Sequence, residues 1–132
     1  MMLRVLVVDD EPDIEQLFRQ QFRRELREGV CVLDFALSAE AALEKLDAAV
    51  AGQIILLVSD INMPGMSGLD LLPLVKARRP DLPVFMISAY GDGETMAQAA
   101  ARGASKFLTK PVDFPQLKRE VGVVVAGARG AA

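Results

Sequence analysis

Residues 54–68 read IILLVSDINMPGMSG, and this stretch decides the fold class. Its first five residues are all apolar, which is typical of a strand that is buried on both faces of a parallel sheet. Asp60 follows the strand, and a loop with proline and glycine follows Asp60. Ser67 and Asp70, three residues apart, have the pattern of a capping box and predict that a helix begins there. Strand, polar loop and helix together indicate one unit of an α/β fold.

The same alternation runs through the rest of the chain. Short apolar runs predict four further strands, at Arg4–Val8, Val30–Phe35, Val84–Ile87 and Lys106–Thr109. Apolar residues at spacings of three and four predict a helix in each interval and a last one that ends near Ala126. Five strands alternating with five helices predict an α/β fold with a parallel sheet and helices on both of its faces.

The chain has 132 residues, the length of one ordinary domain. We expect residues 1–126 to form that domain. Residues 127–132 are rich in glycine and alanine, which is typical of a flexible tail or the start of a linker. Pro73 falls inside a predicted helix, where it should remove one hydrogen bond and bend the chain.

The composition argues against several classes of function. The net charge is −3, which disfavours nucleic acid as a direct partner because DNA binding usually needs a basic patch. The chain contains no histidine, which excludes histidine-based catalytic triads and zinc sites. The single cysteine, Cys31, and the lack of an apolar run near the ~20 residues that span a bilayer favour a cytoplasmic protein without a membrane partner.

Polar residues stand at the carboxyl ends of four of the five predicted strands. The first strand is followed by Asp9 and Asp10, the third by Asp60, the fourth by Ser88 and the fifth by Lys110. Parallel strands bring their carboxyl ends to one edge of the sheet, where α/β proteins bind their ligands. We therefore expect these side chains to meet in one site.

Three carboxylates in one site repel one another. Two charges 4 Å apart cost about 4 kcal/mol at an effective dielectric constant of 20, so either a carboxylate takes up a proton or a cation binds. Oxygen ligands without histidine or cysteine favour Mg2+, Ca2+ or Mn2+. Lys110 and Ser88 suit a phosphate group, and Asp60, alone at its strand end, is the natural nucleophile for an aspartyl phosphate.

Four motifs together resemble the receiver domain of two-component response regulators. They are Val7-Val8-Asp9-Asp10-Glu11-Pro12, Ser59 to Gly68, Ile87-Ser88-Ala89 and Lys110-Pro111. The resemblance covers about residues 3–125 and includes the order and spacing of the motifs. It implies a flavodoxin-like (βα)5 three-layer sandwich with strand order 2-1-3-4-5, and a switch that is controlled by phosphorylation.

The resemblance also implies a role for each site residue. Asp60 would accept the phosphoryl group, and the metal would be Mg2+, with Mn2+ as a possible substitute. The metal ligands would be Asp10 directly, Asp9 through a water, Asp60, and the backbone carbonyl of Asn62. Lys110 would pair with the phosphoryl group and Ser88 would donate a hydrogen bond to it.

Further expectations concern switching. Phe107 occupies the position of a switch aromatic that turns inward as Ser88 moves, although tyrosine is common there. Tyr90 and Asn62 occupy positions that tune dephosphorylation in the family. The resemblance further implies that the Lys110–Pro111 peptide bond is cis.

The implied partners are other proteins. The donor would be a phosphohistidine on a sensor histidine kinase or a phosphotransfer protein, since this chain has no histidine. The output domain or protein is unknown, and a homodimer could form through the fourth helix, fifth strand and fifth helix. The chain would catalyse its own phosphorylation and dephosphorylation and would not be a conventional enzyme. The basic face of the first helix could be a kinase-docking surface or simply solvated; its arginines are Arg19, Arg23, Arg24 and Arg27.

Three other functions compete with this one. A pseudo-receiver would dock partners without phosphorylation, but the acid pair, acceptor and lysine are all present. An aspartate-dependent phosphohydrolase would have a second acid two residues after its nucleophile, where this chain has Asn62. A flavodoxin-like cofactor binder would place phosphate beside Asp9, Asp10 and Glu11, which would repel it unless a cation intervened.

Overall fold

A computed structural model describes residues 2–50 and 52–130 of the chain. Its strands are β1 (Arg4–Val8), β2 (Val32–Ala36), β3 (Ile54–Asp60), β4 (Val84–Ser88) and β5 (Lys106–Thr109). All neighbouring strands pair in parallel, in the order β2-β1-β3-β4-β5. The predicted direction and order of the strands are therefore confirmed.

Helices connect the strands on both sides of the sheet. In the described residues they are α1 (Asp13–Gln21), α2 (Arg23–Arg27), α3 (Ala39–Ala48), α4 (Gly68–Arg78), α5 (Gly93–Ala101) and α6 (Phe114–Gly130). The predicted capping box at the start of α4 is present. The Ser67 hydroxyl accepts a hydrogen bond from the Asp70 N–H, and the Asp70 carboxylate accepts one from the Ser67 N–H. Since a cap satisfies backbone N–H groups that have no partner inside the helix, it fixes where α4 begins.

Each face of the sheet has its own core. Successive residues of a strand point to opposite faces, so Leu6 and Val8 pack with α3, α4 and α5, whereas Val5 and Val7 pack with α1 and α6. Strand β3 is buried along its whole length, as its continuous apolar run predicted. The three-layer sandwich is therefore confirmed.

The first helix differs from its prediction. The sequence predicted one helix between Pro12 and Gly29, but the chain leaves helical geometry at Phe22, which has φ −99° and ψ 13°. Phe22 is 1% exposed and its ring stacks on that of Phe18, with ring centroids 5.9 Å apart. Phe18 and Phe22 are four residues apart and both face the same core. This is the spacing expected within one helix, so the sequence pattern does not reveal the interruption.

The last helix is longer than predicted. It continues to Gly130, so residues 127–130 are helical where a flexible tail was expected. Val125 is 4% exposed, and Arg129 donates hydrogen bonds to the carbonyls of Gly29 and Val30. These contacts stabilise a segment whose composition favours fraying. Residues 131 and 132 lie outside the described residues, and the division between domain and linker stays a prediction.

Pro73 is accommodated inside α4 with help from α5. Proline has no N–H, so the carbonyl of Leu69, four residues earlier, has no donor within the helix. The guanidinium of Arg102, at the end of α5, donates a hydrogen bond to that carbonyl at 2.7 Å. Arg102 thus replaces the hydrogen bond that Pro73 removes, and it joins α4 to α5.

This replacement predicts a coupling between Pro73 and Arg102. Replacing Arg102 by alanine should lower the free energy of unfolding by about 1 kcal/mol more in the natural chain than in a Pro73→Ala background. In that background the backbone N–H that the substitution introduces can bond to the Leu69 carbonyl. Urea unfolding of the two single variants and the double variant measures the coupling. Additive effects would show that the contact carries no such role.

Candidate functional site

The carboxyl ends of β1 and β3 bring three carboxylates together. Asp9 and Asp10 follow β1, and Asp60 is the last residue of β3. One carboxylate oxygen from each residue lies within 4.8 Å of the others. Asp9 is 8% exposed and Asp60 is 4% exposed, so water screens these charges poorly. The sequence predicted this convergence, and the set of oxygen ligands suits a hard cation.

A lysine lies next to Asp60. The Nζ atom of Lys110, which follows β5, is 3.2 Å from Asp60 Oδ2. Partial burial lowers the pKa of Lys110, but the charge of Asp60 and the hydrogen bond to it, with the charges of Asp9 and Glu11, outweigh burial and raise that pKa overall. The lysine is therefore fully charged near neutral pH and can pair with an anion. The Lys110–Pro111 peptide bond is cis, as the resemblance implied.

Ser88 and Asn62 complete the edge of the site. The hydroxyl of Ser88, the last residue of β4, donates a hydrogen bond to Asn62 Oδ1 at 3.1 Å and accepts one from the Tyr90 N–H at 3.0 Å. The Asn62 N–H donates a hydrogen bond to Asp60 Oδ1, with the nitrogen and oxygen 3.4 Å apart. The sequence placed Ser88 and Asn62 in the site. It did not predict their contact, because no local pattern links residues 26 positions apart.

A family model described as the response regulator receiver domain matches residues 5–122. The chain belongs to this family. Receiver domains are signalling domains of two-component response regulators rather than conventional enzymes, which disfavours the phosphohydrolase and cofactor-binder alternatives.

Known receiver proteins are similar in sequence and structure. The response regulator protein PilR of Pseudomonas aeruginosa is 38% identical over 92% of this chain, which spans 26% of that protein. A CheY-like receiver domain protein from Methanospirillum hungatei JF-1 has the same fold, with a TM-score of 0.85 at 23% identity over the whole of both chains. The response regulator protein TrrA of Thermotoga maritima, solved in complex with Mg(2+)-BeF, has a TM-score of 0.76 at 32% identity, covering 93% of this chain and 99% of that one.

The chain therefore spans about a quarter of the length of the curated relative PilR.

None of the helices within residues 2–50 and 52–130 is both long and apolar enough to cross a membrane.

The receiver site holds Asp9 in an unfavourable environment. Burial raises the pKa of Asp9 most, a hydrogen bond from the Glu11 N–H lowers it, and the charge of Asp60 raises it further, to about 6. Asp9 Oδ1 accepts that hydrogen bond at 2.9 Å. The ionised carboxylate is thus penalised in the folded receiver domain, which a nearby cation would relieve.

Without a metal, Asp9→Asn should stabilise the receiver domain at neutral pH. The pKa of Asp9 is about 6 in the folded chain against an ordinary 3.8, so ionising it costs more free energy in the folded state than in the unfolded state. We expect a gain in unfolding free energy on the order of 1–3 kcal/mol above pH 6, with the Glu11 hydrogen bond retained by the amide oxygen.

The pH dependence of this gain is the control. It should shrink as pH falls from about 6 to 3.8, because Asp9 becomes neutral in both states of the wild-type chain. Urea unfolding in the presence of EDTA across this range measures it. A gain of the same size at all pH values would show that ionisation is not its cause.

The remaining predicted residues lie around the site. Phe107 lies on β5, is half-buried and packs against the core beside α3, α4 and α5. Tyr90 is 63% exposed. The four arginines of α1 and α2 are exposed; Arg19 pairs with Glu15 and lies over the ring of Phe35. Whether they dock a kinase stays a prediction.

Proposed function

We propose that this receiver domain is a signalling switch that accepts a phosphoryl group on Asp60 in a Mg2+-dependent reaction. The observation that carries the proposal is the position of Asp60. Its buried carboxylate lies 3.2 Å from the Nζ atom of Lys110 and has an oxygen within 4.8 Å of carboxylate oxygens of Asp9 and Asp10. A nucleophile in that position is next to a positive charge and next to a group of carboxylates that suits a divalent cation.

The residues of the site fit Mg2+. Three carboxylates converge without histidine or cysteine, and burial and repulsion raise the pKa of Asp9. We propose that Asp9, Asp10, Asp60 and the backbone carbonyl of Asn62 hold the ion, with Mn2+ as a possible substitute. When bound, the ion would neutralise charge around the transferring phosphoryl group. The Mg(2+)-BeF complex of the similar protein TrrA supports this assignment.

Side chains of the site would carry out the phosphoryl transfer. An Asp60 carboxylate oxygen attacks phosphorus, a new O–P bond forms, and the P–N bond to the donor imidazole breaks, leaving its electron pair on that nitrogen. Lys110 pairs with the charged phosphoryl oxygens and Ser88 donates a hydrogen bond to one of them. Attack of water on phosphorus later restores the carboxylate and releases inorganic phosphate. Phe107 would change its packing when Ser88 moves.

The partners of this switch follow from the same chemistry. Residues 1–132 contain no histidine, so the phosphohistidine donor lies outside them, and we propose a sensor histidine kinase or a phosphotransfer protein as its carrier. The output would be read from the face formed by α5, β5 and α6, which could also form a homodimer. The residues of the site do not identify the output domain or protein. A cytoplasmic location agrees with the proposed partners.

Intact mass after incubation with acetyl phosphate tests the proposal. With Mg2+ the protein should gain one phosphoryl group, and EDTA should prevent the gain. Beryllofluoride, a stable mimic of the phosphoryl group, should bind with the same metal requirement. If the protein neither gains a phosphoryl group nor binds beryllofluoride, a docking module that works without phosphorylation would be the better explanation of its function.

Lys110→Ala should slow phosphorylation by acetyl phosphate at least about tenfold, since a hydrogen bond to a charged group contributes about 1.5–3 kcal/mol. Lys106→Ala is the matched control, because Lys106 is the first residue of β5, the strand that Lys110 follows, but pairs with Glu120 at 3.5 Å. The initial rate of mass gain at saturating Mg2+ measures both variants. Equal rates in the two would remove Lys110 from the proposed mechanism.

A further inference from the structure

Ser88 has one hydroxyl hydrogen, which it already donates in a hydrogen bond to Asn62. The hydroxyl donates to Asn62 Oδ1 at 3.1 Å, while its oxygen accepts from the Tyr90 N–H at 3.0 Å. Ser88 is 0% exposed, so bulk solvent does not reach its side chain. A serine hydroxyl donates a single hydrogen bond, so the donor capacity of Ser88 is fully used in this state.

The proposed reaction requires the same hydrogen. A phosphoryl group on Asp60 carries ionised oxygens near neutral pH, because phosphate esters have a second pKa of about 6 and an acyl phosphate is more acidic than an ester. Such oxygens only accept hydrogen bonds, so Ser88 can contact them only by donating. One O–H cannot make two strong bonds at once. Ser88 must therefore release Asn62 before it bonds to the phosphoryl group.

We propose that the Asn62 side chain is a positioning residue that holds Ser88 in the resting state and so weakens capture of the phosphoryl group. This inference depends on the proposed function of Asp60 and Ser88. Asn62 is exposed, so water can solvate its amide once Ser88 leaves. The restraint therefore has the strength of one ordinary hydrogen bond, with no buried group left unpaired.

The restraint acts through the side chain alone. The Asn62 backbone N–H lies within hydrogen-bond distance of Asp60 Oδ1, at 3.4 Å, and any substitution except proline keeps that donor. Replacing Asn62 by alanine thus removes the acceptor for Ser88 and leaves the backbone groups of residue 62 in place. The variant should favour the state in which the Ser88 hydroxyl is free to turn toward Asp60.

Beryllofluoride binding at saturating Mg2+ tests this. The Asn62→Ala protein should bind beryllofluoride roughly two- to tenfold more tightly than the wild type, the factor that corresponds to one net hydrogen bond. In a Ser88→Ala background the gain should vanish, since no hydroxyl remains to be released. Fluorine NMR or calorimetry measures the four affinities of this cycle.

The Tyr90 amide provides a second readout that a merely structural effect would not produce. Its N–H bonds to the Ser88 hydroxyl oxygen, so its resonance reports the state of that hydroxyl. In the resting Asn62→Ala protein it should move toward its position in the beryllofluoride-bound wild type. Unchanged or weaker binding by Asn62→Ala, or the same gain without the Ser88 hydroxyl, overturns this inference alone. A wild-type protein that binds no beryllofluoride overturns the proposed function and this inference with it.

Discussion

The Asp60→Asn protein should gain no phosphoryl group from acetyl phosphate, even at saturating Mg2+. The amide is neutral and its oxygen is a poor nucleophile, whereas an ionised carboxylate can form the O–P bond. Asparagine has nearly the same shape as aspartate and fits the buried position, where Asp60 is 4% exposed. Its oxygen can still accept a hydrogen bond from Lys110, so the site keeps its geometry while it loses its acceptor.

Intact mass measures the loss, and Asp92→Asn is a matched control. Asp92 caps α5 through a 2.7 Å hydrogen bond from the Thr95 N–H, and asparagine caps helices as well as aspartate does. The control should therefore gain the full adduct. Circular dichroism checks that both variants are folded. An adduct on the folded Asp60→Asn protein, at the wild-type level, would place the acceptor elsewhere.

The sequence was sufficient to predict where the site lies. The apolar runs of β1 and β3 indicate strands buried on both faces, and a sheet of that kind has parallel strands. Parallel strands place all their carboxyl ends at one edge, so Asp9, Asp60 and Lys110 had to converge once the strands were assigned. This argument uses only chain direction and strand ends, which is why it succeeded without any tertiary contact.

Contacts between distant residues could not be predicted in this way. The bond from Arg102 to the Leu69 carbonyl and the bond from Ser88 to Asn62 join elements through side chains whose directions depend on packing. The extension of α6 to Gly130 also depends on a tertiary contact, made by Arg129 with the carbonyls that precede β2. Local propensity is a weak guide where tertiary contacts of this kind decide the outcome.

Gly68 lies where α4 packs against the end of β3. It is the first residue of α4, it is buried, and its N–H donates a hydrogen bond to the Ile61 carbonyl at 2.8 Å. A β-carbon at this position would overlap the backbone carbonyl oxygen of Asp60 and lie 2.8 Å from the Ile61 Cα. Both are backbone atoms, and Asp60 is held in the sheet by its pairing with Ile87, so neither can move cheaply.

Gly68→Ala should therefore destabilise the receiver domain by about 3 kcal/mol or more, the upper range for overpacking a rigid site. Gly93→Ala is the matched control, because Gly93 is the first residue of α5 and a β-carbon there meets nothing within 4 Å. That control should be neutral or slightly stabilising, since alanine loses less backbone entropy on folding than glycine does.

Urea unfolding of the two alanine variants measures the difference in unfolding free energy. If Gly68→Ala remains folded, the displaced Asp60 backbone should also slow phosphorylation by acetyl phosphate, whereas Gly93→Ala should retain the wild-type rate. Equal stability of the two variants would show that α4 can move away from β3 without cost. The close approach of α4 to Asp60 would then be incidental. A large loss in Gly68→Ala alone would instead show that glycine is required there because the helix begins directly against the backbone of Asp60.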